Sequence, residues 1–172
     1  MEMTLQERLD KLLNAYMLHY DIERDVQVED GYFPAAATYF LRDENYLISK
    51  KHVLNAVENY DYTYFFLTEH LDAETLRRQI ELTKAVGTAR VKPHKEHMSS
   101  FVTLVILADT IDAEAKAIIK KTRFRKYFRL ALHGWMEYQI AAMEISTNSF
   151  LSNPAGKNAK KTLELNFPSK GI

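Results

Sequence analysis

The chain has 172 residues, with 23 basic and 23 acidic side chains, no net charge and 47% hydrophobic residues. That length buries about 70% of the surface of the unfolded chain, so a core forms without staples, and one domain is expected. There is no cysteine, which removes disulfides, thiolate nucleophiles, zinc–thiolate centres and iron–sulfur clusters together.

Thr4-Leu5-Gln6-Glu7 is a capping box, and Leu5, Leu9, Leu12, Tyr16 and Tyr20 recur at helical spacing after it. An amphipathic helix to about Leu18 is predicted. The acidic stretch Asp21 to Asp30 shows little periodicity and reads as a loop ending at Gly31. Ala35 to Leu41 reads as a strand that turns at Arg42-Asp43-Glu44-Asn45 into Tyr46-Leu47-Ile48-Ser49, a hairpin. Tyr62 to Leu67 is aromatic and β-branched, which suits a third strand.

Two strand–helix units follow. Leu71-Asp72-Ala73-Glu74 opens a helix to Gly87, and Ile111-Asp112-Ala113-Glu114 opens another to about Lys121 after a strand from Phe101 to Leu107. Each Asp sits at an N-cap and each Glu in a first turn, where both favour the helix dipole. Leu71 and Leu76 have the spacing of a hydrophobic staple. Strand–helix–strand implies parallel crossovers where the strands share a sheet. Phe124 to His133 and Trp135 to Thr147 read as two more strands around Gly134. Phe150-Leu151 reads as a short one, and Asn153-Pro154 opens a last helix through Lys161. The predicted class is therefore α+β: a mixed sheet of about six strands carrying helices. One domain over residues 1–165 and a loose tail over 166–172 are expected.

Met1 to Glu7 lacks the basic start and apolar run of a signal peptide, and the longest apolar stretch, Phe101 to Ala108, is strand-sized. A membrane span needs about 20 residues. A soluble, cytoplasmic bacterial protein with no membrane partner is the expectation. The charge is unevenly distributed along the chain. Residues 1–75 carry 15 acids and 6 bases, a net of −9, and residues 76–172 carry 8 acids and 17 bases, a net of +9. Folding either interleaves the halves or leaves a dipolar surface that steers an anionic partner or pairs two copies head to tail as a dimer.

The basic-aromatic segment Lys120 to Arg129 is the first place to look for a site. Period-two alternation from Arg123 sets Arg123, Arg125, Tyr127, Arg129 and His133 on one face, and Phe124, Phe128, Leu130 and Leu132 on the core face. Forked guanidinium groups beside a tyrosine suit phosphates, carboxylates or a nucleic-acid backbone. The same face also reads as a solvated strand paired to Glu137. Trp135 reads as core rim. Pro93-His94-Lys95-Glu96-His97 has two histidines but matches no zinc motif, and a zinc site needs a third ligand. No metal, cofactor or catalytic residue is assigned. There is no nucleophile elbow and no phosphate-cradling glycine loop. The leading expectation is a non-enzymatic binding domain with a basic face for an anionic ligand or nucleic acid. The alternative is a divergent metal-dependent nuclease, or a hydrolase using His133 and Glu137.

Tyr39-Phe40, Asn45 to Lys51, Glu58-Asn59-Tyr60 and Leu132-His133-Gly134-Trp135 resemble a family of small uncharacterised proteins from clostridia and related Gram-positive bacteria. That resemblance implies no activity. In fold order alone, helix, three strands, helix and strand resemble the core of restriction-endonuclease-like nucleases. Such enzymes hold magnesium with an Asp on the second strand and Glu-x-Lys or Asp-x-Lys on the third. The predicted third strand, Tyr62 to Leu67, has no such triplet, and Ser49-Lys50-Lys51 offers no acid.

Overall fold

The structure is a computed structural model that describes residues 2–46 and 53–168. Helix α1 (Leu5–Tyr16) opens at the capping box, with Glu7 N donating to Thr4 Oγ1 at 3.1 Å and Thr4 N donating to Glu7 Oε2 at 2.7 Å. It is followed by β1 (Asp21–Val28), β2 (Gly31–Tyr46), β3 (Val53–Leu71), α2 (Ala73–Arg90), β4 (His97–Ile111) and α3 (Ala113–Lys121). Then come β5 (Arg125–Tyr127), β6 (Trp135–Glu144), β7 (Ser149–Ser152), a 3-10 turn (Pro154–Gly156) and α4 (Lys157–Asn166).

The strands form one mixed sheet in the order β1-β2-β3-β4-β6-β5, with β7 also paired to β6. β3, β4 and β6 are mutually parallel, and the other pairings are antiparallel. The α+β class is as predicted. So is the crossover unit β3–α2–β4; the second helix leads to a parallel partner only at β6, because the strand next in sequence, β5, runs antiparallel at the edge. Helices α2 and α3 bury Leu76, Ile80, Ala115 and Ile119 on one face of the sheet with Tyr62, Tyr64, Leu104 and Tyr138. Helices α1 and α4 bury Leu9, Leu12, Ala159 and Leu163 on the other with Phe65, Val105 and Met143. The result is three layers, helix–sheet–helix. Phe167, in the segment expected to be loose, is 5% exposed within the second of these cores.

Several elements differ from expectation for identifiable reasons. The stretch read as an acidic loop is edge strand β1. Its alternation reverses at Asp25, whose φ is +52°, opposite Pro34 of β2. Ile22 and Ala35 therefore meet the α1 core while Val26 and Phe33 meet the α2 core. A strand that changes face midway has no period-two signature to read. The predicted turn at Arg42 to Asn45 is continuous strand, paired to β3 from Glu58 down to Asn55. Arg42 is held there by Glu58 and Glu96, both at 2.6 Å. Leu47, Ile48 and Ser49, the rest of the predicted hairpin arm, lie outside the described residues.

Helix α2 runs on to Arg90 instead of ending at Gly87. A Cβ at Gly87 would sit 2.3 Å from Val102 Cγ1, so this glycine serves close helix–strand approach, not termination. Asp72 caps α2 as expected, accepting from Thr75 N at 2.7 Å. Asp112 makes no side-chain cap, and its carboxylate instead lies 3.1 Å from His70 Nε2. β6 ends at Glu144, short of Thr147.

Glu144 is buried and fully engaged. Lys116 Nζ lies at 2.6 Å, Thr147 Oγ1 at 2.7 Å and Ile111 N at 2.8 Å. Burial works against the charged form, but these donors outweigh it and hold the carboxyl down at about 2. A carboxyl depressed on folding contributes stability above its unfolded value near 4.5, and that stability is lost as pH falls from there toward 2. Acid unfolding followed by circular dichroism should therefore lose part of its pH dependence in this window in Glu144→Gln. An unchanged acid profile would contradict the assignment.

Candidate functional site

The basic segment is arranged differently from the predicted row. β5 keeps only Arg125, Lys126 and Tyr127 in the sheet, paired to Glu137, Met136 and Trp135. Phe124 and Phe128 turn toward the α2 core as the alternation requires. From Arg129 the alternation ends. Arg129, Leu130 and Ala131 have φ of +47°, +53° and +69°, three consecutive left-handed residues without a glycine among them. Phe128 N bonds Gly134 O at 3.0 Å and His133 N bonds Phe128 O at 3.1 Å, so residues 128–134 form a closed loop instead of a strand. The expected core residues Leu130 and Leu132 are 96% and 78% exposed. Arg129 and His133 therefore do not share a strand face with Arg123, Arg125 and Tyr127.

Two contacts seat this loop. His97, buried, donates from Nδ1 to His133 O at 2.6 Å, and its Nε2 is hydrogen-bonded with Ser100 Oγ at 2.8 Å. Gly134, with φ +77°, backs directly onto Met98 O. Arg125 is tied to Glu137 at 2.8 Å and to Tyr127 Oη at 3.2 Å. Glu137 is thus committed to arginine and is not the partner of His133. The surroundings of His133 hold its proton affinity below the ordinary imidazole value, through desolvation and then Arg129, His94, Lys95 and His97. Arg123 bonds only the Lys121 carbonyl, at 3.2 Å, and Arg129 has no ion-pair partner among the described residues. The Pro93–His97 pair is split: His94 Nε2 lies 2.8 Å from Glu58 Oε2, while His97 holds the loop.

Sheet order decides the fate of the charge split. The acid-rich first half builds β1, β2 and β3 and ends at edge strand β1, where Asp21, Glu23 and Asp25 are exposed. The base-rich second half builds β4, β6 and β5 and ends at edge strand β5, beside exposed Lys121, Arg123, Lys126 and Arg129. Within the sheet the two halves lie at opposite ends and their strands do not interleave, while α1 of the first half packs against β4 and α4 of the second.

A second feature was not legible in the sequence. On the α1/α4 face, one cross-strand row runs Tyr39, Asp61, Phe101, Glu137, Arg125, and the next runs Thr63, Thr103, Gln139. Part of this floor opens into a cleft of about 360 Å³ between the end of α1 and the start of α4. The Asp61 carboxylate accepts from Tyr20 Oη at 2.7 Å, Thr63 Oγ1 at 3.0 Å and Thr103 Oγ1 at 3.5 Å. No salt bridge to Asp61 is found among the described residues. Burial raises its proton affinity, and the three hydroxyls only partly oppose that. The third strand thus carries Asp61-Tyr62-Thr63, with threonine where the nuclease-like pattern has lysine. Trp135, the only tryptophan, lies two residues along β6 from Glu137, and its indole N–H is buried without a partner among the described residues.

No curated protein and no solved structure matches this chain. A family model described as a domain of unknown function (DUF8052) matches residues 4–165, nearly the whole of the fold above, and the chain belongs to that family.

Proposed function

We propose that this chain is a non-enzymatic interaction domain whose basic edge, Arg123, Lys126 and Arg129 with the loop at residues 128–134, engages an acidic protein surface. The observation that carries the reading is the separation of the charged halves onto opposite edges of the sheet, with the basic edge exposed. A surface of one sign raises encounter rates with an oppositely charged partner. Leu130 and Leu132 favour a protein over a nucleic acid, because an exposed leucine gains from an apolar counterpart and a phosphodiester backbone offers none. Arg125 supports the edge as a structural pair with Glu137 rather than as a free anion clamp. Another copy of this chain carries one such acidic surface, at β1.

The nuclease or hydrolase alternative gains nothing from the geometry. Asp61 stands among hydroxyls and an amide, a donor set unlike the paired carboxylates that hold magnesium. Glu137 is committed to Arg125, so no carboxylate orients the His133 ring as a general base would require.

The test uses a labelled peptide rich in Glu and Leu, and a duplex oligonucleotide of equal charge, at low salt. Fluorescence anisotropy should show peptide binding that falls at least tenfold in the triple variant Arg123→Ala, Lys126→Ala, Arg129→Ala. Oligonucleotide binding alone would make the partner a nucleic acid and overturn the protein reading. A folded triple variant with undiminished affinity for the peptide would overturn the basic edge itself.

A further inference from the structure

Independently of the basic edge, we propose that the cleft between α1 and α4 is a binding site for a small organic ammonium ion, with Asp61 as its counter-ion. The group to be explained is Asp61 itself. It is half-buried at the floor of the cleft, and a carboxylate so placed is stabilised by an opposite charge or a full set of donors. A carboxylate offers about four acceptor positions. Asp61 has three hydroxyl donors, one of them at 3.5 Å, and Thr103 is shared with Gln139 Oε1 at 3.0 Å. One acceptor position is left, and no ion pair to Asp61 is formed among the described residues, His19 lining the same cleft without one. Asp61 lines a cleft whose volume of about 360 Å³ lies at the small end of the range for small-molecule sites.

The rest of the lining selects the kind of cation. Tyr16, Tyr20 and Phe101 supply aromatic surface around the carboxylate. Tyr20 is itself packed edge-on against Tyr16 at 4.9 Å and tilted against Tyr39 at 5.4 Å, so its ring and its hydroxyl bond to Asp61 are held in place. Aromatic rings attract an alkylammonium and cover its carbon chain. An ammonium head brings three donors, and Asp61, Gln139 and the threonine hydroxyls offer acceptors to match. A bare divalent metal would need more carboxylate oxygens than Asp61 alone provides. A neutral alcohol of the same shape would leave the carboxylate without a counter-charge. The cleft is therefore built for a compact primary amine with a short apolar body.

Calorimetric titration of the intact protein with butylamine and phenethylamine, each beside its alcohol isostere, tests this near neutral pH, with Trp135 emission as a second readout. At least one amine should bind with a tenfold or greater preference over its alcohol. Asp61→Asn keeps the shape and an acceptor oxygen for the threonines, turns the Tyr20 contact into one in which the amide N–H donates to Tyr20 Oη, and removes the charge, and should abolish that preference. Thr162→Trp narrows the cleft at α4 without touching the carboxylate, and should weaken the amine even if Asp61→Asn fails to fold. The site would be overturned if neither amine binds the wild-type protein, if alcohols bind as well as amines, or if folded Asp61→Asn retains the preference.

Discussion

Asn153→Ala should lower the melting temperature by roughly 10 °C. Asn153 is 1% exposed and makes four hydrogen bonds with one side chain. Its Oδ1 accepts from Ile140 N at 3.0 Å and Gly156 N at 2.9 Å, and its Nδ2 donates to Tyr138 O at 3.0 Å and Thr122 O at 3.2 Å. It thereby ties β6 to the end of α3 and to the turn that starts α4. Alanine leaves the Ile140 and Tyr138 groups buried and unpaired, and each orphan costs about 1–3 kcal/mol. A total near 4 kcal/mol, at about 2–4 °C per kcal/mol for a chain of this size, gives the expected drop. Thermal denaturation by circular dichroism decides it: an Asn153→Ala protein within about 2 °C of wild type would show that the four bonds are not a structural tie.

Gly134→Ala should unseat the basic loop while leaving the helices intact. An L-residue at φ +77° costs about 1–2 kcal/mol from the backbone alone. The added Cβ would also stand 2.1 Å from Met98 O, a backbone atom that cannot swing aside. The loop must lift from β4, and that separates His133 O from the buried His97 ring that holds it. A combined local cost near 3 kcal/mol is expected. Amide exchange over residues 128–135 should accelerate with little change in α1 or α2. Binding at the basic edge should weaken, because Arg129, Leu130 and Leu132 are presented by that loop. Unchanged exchange in the loop would mean that Gly134 does not seat it.

Signals that act over a few residues were readable in the sequence. The Thr4–Glu7 box, the Asp72 cap, α3 and the Asn153 cap are local, and each appears where expected. Patterns that depend on tertiary context were not. Alternation continues in letters past Phe128, yet pairing stops at Tyr127 and the chain enters three left-handed residues that no Gly or Asn marks. That is why Leu130 and Leu132 read as core. The cleft was hidden for another reason. Asp61, Thr103 and Gln139 come from three strands about forty residues apart in sequence, and the parallel register alone aligns them. The one local clue was an acid inside the aromatic run Tyr60 to Phe66, on the same face as Thr63 and Phe65.

The claim that the basic edge meets an acidic protein surface is tested most directly by measuring wild-type anisotropy with the Glu/Leu peptide across a salt series. Exposed charges are screened as the Debye length falls from about 10 Å at 0.1 M to about 3 Å at 1 M. Binding should weaken at least tenfold across that range and keep a residual, salt-insensitive part from Leu130 and Leu132. Peptide affinity that is absent at low salt, or the same at both ends of the series, would contradict it.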